Sequence, residues 1–146
     1  MSYPLLLTLH LFAALLFIGT VFFEVIFLEG VRKHVPRDVM RTMETAIASR
    51  ARRLMPWVLL VLYGAGIGMA WYHRAALAHP LDSSFGLLLT IKIILALSVF
   101  GHFLTAMTLG KKGKLRSIHF KYIHISVFCH MVGIVLLAKA MFYLHW

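Results

Sequence analysis

The sequence predicts an all-α integral membrane protein, an up-down four-helix bundle with an amphipathic cytoplasmic connection, and three observations carry that prediction. Hydrophobic residues make up 61% of the 146 positions and the mean hydropathy is +0.85, which leaves too little polar surface for an ordinary globular domain. Four apolar stretches, at about residues 4–29, 56–76, 85–109 and 122–145, each supply the ~20 residues a helix needs to cross ~30 Å of hydrocarbon at ~1.5 Å per residue. Finally, the basic residues behind the formal charge of +10 crowd into two connections instead of spreading over a surface that would suit nucleic acid. Residues 1–146 are expected to form a single transmembrane domain without internal repeats.

The first stretch opens Met-Ser-Tyr-Pro and runs apolar before its first positive charge, unlike a cleaved signal peptide with its basic start, so a retained helix is expected. The connection after it carries Arg32, Lys33, Arg37, Arg41, Arg50, Arg52 and Arg53. Within residues 36–54, Val39, Met40, Met43, Ile47, Ala51 and Leu54 recur at helical intervals with Arg41, Glu44, Arg50, Arg52 and Arg53 mostly around the other side. That pattern predicts an amphipathic helix lying on the inner leaflet. The second stretch holds Gly64, Gly66 and Gly68 and ends in Trp71 and Tyr72, an aromatic belt.

Between the second and third stretches only Arg74 is basic, whereas Lys111, Lys112, Lys114, Arg116 and Lys121 fill the connection from the third to the fourth. Twelve of the fifteen Lys and Arg residues thus lie in the first and third connections, which makes both cytoplasmic and both termini periplasmic. Lys111-Lys112-Gly113-Lys114 reads as a turn carrying topological charge. A multi-pass protein of the bacterial inner membrane is expected. Cys129, the single cysteine, reads as a small core residue.

Intramembrane polar residues are costly and tend to face a protein interior. With helix midpoints near Leu16, Gly66, Leu97 and Gly133, the rise of ~1.5 Å per residue places His10 and His73 ~9 and ~10 Å towards the outside, and His102 and His130 ~7 and ~5 Å towards the cytoplasm. These are two depth-matched pairs, as bis-imidazole ligation of two b-type haem irons would require. The small residues Gly64, Gly66, Gly68, Ser98, Gly101 and Gly133 offer either room for a macrocycle or contacts between helices. His34, His79, His119, His124 and His145 read as interfacial or hydrogen-bonded side chains.

Three charges remain within the stretches. Glu24 shares the His10 face at the cytoplasmic end, where it serves either as a proton relay or as the partner of an arginine such as Arg53. Lys92 and Lys139 fall in the outer half, suited to haem propionates or a quinone oxygen, with snorkelling the simpler account of Lys139. Met69, Met131 and Met141 are scattered like apolar filling.

His-Leu-Phe-Ala-Ala-Leu-Leu-Phe-Ile-Gly-Thr-Val-Phe-Phe, residues 10–23, resembles the first-helix signature of CopD-like membrane proteins, a His-Leu-x-Ala-Ala run followed by Trp-x-Gly-Gly and aromatics. Phe17 stands at the usual tryptophan and Thr20 at the second glycine. In size, an early first-helix histidine and a third-helix lysine, the layout is similar to HemJ-type protoporphyrinogen oxidases. That likeness puts His10 and Lys92 at the haem-associated histidine and functional lysine of that family, although Glu24 and Val25 replace its Pro-Arg and the fourth helix has no Arg-x-x-Asn-Glu segment.

The resulting expectation is a haem b membrane protein, holding two haems, that transfers electrons across or within the membrane. Quinone, a redox protein, other membrane subunits or a second copy of the chain are the partners in view beside membrane lipid, and nucleic acid is not. A CopD-like copper transport protein and a cofactor-free accessory subunit are the alternatives. Whether the chain is itself an oxidoreductase is left open.

Overall fold

A computed structural model describes residues 1–111 and 117–145, with the side chains of residue 111 and of 117–120 left aside. Lys112, Lys114 and Arg116 of the basic turn, Trp146 and the side chain of His119 therefore lie outside the described residues. The fold is all-α, with no strand among the described residues and four helices long and apolar enough to cross a membrane: Tyr3–Val31, Arg37–Tyr72, Ser84–Gly110 and Lys121–Tyr143. Its elements are α1 (Tyr3–Phe22), a π-helical turn (Phe23–Leu28), α2 (Glu29–Val31), α3 (Arg37–Tyr72), α4 (Arg74–Ala78), α5 (Ser84–Lys111) and α6 (Ser117–Tyr143). They form two compact units, Met1–Tyr72 and His73–Trp146.

In the first unit α1 packs along α3. Pro4 opens α1 where no helical N–H is lost. Leu6, Ala13, Phe17 and Val21 form its buried stripe, met on α3 by Leu59 and Ala65. Leu11, Phe12, Leu15 and Leu16 on the remaining faces are exposed, as lipid-facing side chains are. Two close approaches rest on glycine: a Cβ on Gly68 would stand 3.0 Å from a Leu6 methyl, and one on Gly66 would stand 3.4 Å from the His10 ring. At the end of this hairpin the Tyr72 hydroxyl donates to the Met1 carbonyl (3.0 Å), beside an edge-on Tyr3–Tyr72 contact.

The connecting segment departs from expectation. Residues 37–54 do not make a separate surface helix but run without a break into the second span as the 36-residue α3. Arg, Met, Glu and Ala are good helix formers, no glycine interrupts them, and Pro56 sits inside the helix instead of opening it. Arg32 clamps this extension to the end of α2 by pairing with both Glu29 and Glu44.

In the second unit α5 and α6 pack antiparallel, burying Leu89, Val99, Val127, Met131 and Met141. The short α4 folds back on the start of α5, where Ser83 Oγ accepts from the Gly86 amide at 3.1 Å. Buried Ser84 donates to the Leu144 carbonyl (2.7 Å) and fastens the far end of α6.

Candidate functional site

The hairpin of α5 and α6 carries a closed ring of four hydrogen bonds. His102 Nδ1 donates to the Ser98 carbonyl one turn back, and His130 Nδ1 donates to the Ser126 carbonyl one turn back, both at 2.7 Å. A carbonyl oxygen only accepts, so each Nδ1 carries the hydrogen and each neutral ring offers Nε2 as an acceptor. The serine hydroxyls of the facing helix fill those acceptors: Ser98 Oγ donates to His130 Nε2 (3.1 Å) and Ser126 Oγ donates to His102 Nε2 (3.0 Å). All four side chains are half-buried, and the imidazole centroids lie 5.4 Å apart with planes tilted by 56°.

The ring has a sequence origin that the absence of an obvious repeat concealed. Ser98-Val99-Phe100-Gly101-His102 and Ser126-Val127-Phe128-Cys129-His130 are the same pentapeptide but for one position. Placed on antiparallel helices, each copy sets its histidine against the serine of the other. The valines, next to the serines, are buried between the helices in both copies. Ser126 escaped notice because a lone serine in an apolar helix says little; the Ser-x-x-x-His spacing repeated 28 residues later was the signal available.

The structure brings His102 and His130 together, with each Nε2 already engaged by a serine where a shared haem iron would need it. Two axial ligands must aim their Nε2 lone pairs at one iron from opposite faces of a macrocycle. Here His102 Nε2 points from α5 towards α6 and His130 Nε2 from α6 towards α5, and each is engaged by a serine of the facing helix.

His10 presents a different arrangement. Its ring reaches from α1 onto Gly66 of α3, and its Nδ1 donates to the Leu62 carbonyl at 2.9 Å. This bond places a hydrogen on Nδ1, so that in the neutral ring Nε2 carries the lone pair, the way a metal-binding imidazole is commonly held. His73 is not on a spanning helix at all: α3 stops at Tyr72, four residues before the expected end, and His73 sits at the break before α4 with φ −102° and ψ 19°. Its ring lies 5.1 Å from that of Phe85 in the second unit, whereas His10 belongs to the first.

Of the small residues, Gly66 and Gly68 receive His10 and Leu6, Gly133 faces Leu95 at 3.5 Å, and Ser98 belongs to the ring. Lys92 is half-buried on α5, while Lys139 is exposed with its ammonium 6.0 Å from the Tyr143 ring. Glu24 lies half-buried in the π-helical turn, a geometry that α-helices tend to adopt at functional positions. Met131 and Met141 are buried as filling residues.

These features define a multi-pass, all-α membrane protein with polar side chains held inside its hairpins. No family model, curated protein or solved structure matches the chain.

Proposed function

We propose that the protein is a haem b-binding membrane protein that transfers electrons to or from a quinone or a respiratory partner, with His10 as an axial ligand. The observation that carries this reading is the His10 imidazole, oriented by the Leu62 carbonyl and seated on Gly66. Such an outer-shell bond orients a ligating ring and raises its basicity. A bound haem supplies reversible one-electron chemistry at its iron. Glu24, in the same unit as His10, is a proposed carrier of protons. The likeness of residues 10–23 to CopD-like first helices agrees with a redox or metal role for His10.

Because the Ser–His ring occupies both inner imidazoles, pyridine haemochrome analysis should give about one non-covalent haem b per chain, not two. His10→Ala should remove it, and so should Gly66→Leu, whose side chain takes the space of the imidazole; His102→Ala and His130→Ala should keep it. Loss of haem in the His102 or His130 variants with retention in His10→Ala would refute this assignment. Stoichiometric copper in place of haem would turn the reading to copper transport, and a protein with neither cofactor to an accessory subunit.

The distribution of basic residues supports a place in the bacterial inner membrane with both termini periplasmic. A reporter active only in the periplasm should work when fused after Trp146 and be silent when inserted near Lys33. The reverse pattern would put His10 on the cytoplasmic side.

A further inference from the structure

We propose that the Ser98–His102–Ser126–His130 ring is a proton-binding site that takes up one proton per chain and shares it between the two imidazoles. In the neutral ring every donor has an acceptor, and the two hydrogens that bridge the helices come from the serines. A proton arriving from water adds to the lone pair of one Nε2. The new Nε2–H then donates to the serine oxygen already 3.0 or 3.1 Å away, and the serine hydrogen turns aside about its Cβ–Oγ bond. A carbonyl one turn back on its own helix is the natural acceptor for that hydrogen; on α5 Thr90 and Thr105 make this bond, to Gly86 and Gly101, at 2.8 Å each.

Sharing follows from the repeat. Both imidazoles have the same partners at nearly the same distances, so neither is the preferred holder. At 5.4 Å between centroids, two cations would repel strongly in a medium of low dielectric, which limits uptake to one proton. The other titratable or charged groups described on α5 and α6 are Lys92, Lys121, Tyr122, His124, Cys129, Lys139 and Tyr143, and α4 adds Arg74. Along their own helices only Cys129 lies within one turn of the imidazoles, and on α6 Tyr122 and His124 lie within one turn of Ser126, which faces His102; none of these is a carboxylate or an ammonium. Ionisable side chains at such depth mark proton or ion paths more often than they serve packing.

The test is nitrogen NMR of full-length protein labelled at histidine with ¹⁵N and embedded in lipid nanodiscs, titrated between about pH 5 and 8, where imidazoles change charge. The His102 and His130 signals, assigned by their loss in the single alanine variants, should start as Nδ1–H tautomers and together gain one proton as pH falls. Ser98→Ala with Ser126→Ala removes the acceptors of the charged form and should weaken proton uptake at least tenfold. Two imidazoles that stay neutral throughout, two that titrate fully and independently, or a double-serine variant that titrates like the parent would each overturn the proposal. The wild-type titration alone decides if the variants fail to fold, and it does not depend on haem.

Discussion

Val99→Asp should abolish the α5–α6 hairpin. Val99 is 1% exposed, between the two helices and next to Ser98 of the hydrogen-bonded ring. An aspartate near the centre of a membrane helix costs ~2.5–3.5 kcal/mol on insertion scales, and the lost packing adds to it. The variant should be depleted from the membrane fraction or unfold at markedly lower denaturant, while Val99→Ile, which adds one methylene but no charge, should cost ~1–3 kcal/mol and stay in the membrane fraction. Equal stability of the aspartate variant and the parent would mean that α5 and α6 do not meet along this face.

Gly86→Val should be the most damaging of the glycine substitutions. A Cβ there would stand 2.8 Å from the Ala76 carbonyl oxygen, 3.1 Å from Ser83 Oγ and 3.3 Å from the Pro80 carbonyl oxygen. Two of the three neighbours are backbone, so relief requires α4 to move off the start of α5. Overpacking of this kind costs ~1–3 kcal/mol, and displacement of Ser83 forfeits a capping bond worth ~1 kcal/mol. Gly68→Ala is the control, since its Cβ meets only the flexible end of Leu6. Unfolding measured in mixed micelles should separate the two variants clearly; if they are equally mild, the α4–α5 turn is not packed as described.

The four spans were legible because length and apolarity suffice to mark a membrane helix, and charge placement adds a direction. The onset of α3 was not. Its arginines suggested a separate surface segment, and Pro56 looked like a helix start, yet continuous helix formers carry the chain from Arg37 through that proline. Depth arithmetic placed His102 beside His130 but was blind to the direction of their nitrogens, which depends on serines one turn away on each helix. It also put His73 inside a helix that ends just before it. His10 was legible as an interior residue from its apolar context; its anchor, the Leu62 carbonyl, carries no side-chain signature that a sequence could display.

The unbroken α3 gives the first unit a mechanical character. Its 36 residues extend ~54 Å at ~1.5 Å per residue, well beyond the ~30 Å of the hydrocarbon. The arginine-rich end is therefore a rigid lever with one soft point, Pro56, which lacks the amide that would bond the Arg52 carbonyl. Leu62, which holds His10, lies six residues past that point. A bend at Pro56 absorbs displacement of the lever before it reaches the imidazole, whereas rotation about the helix axis passes through and turns the Leu62 carbonyl with it.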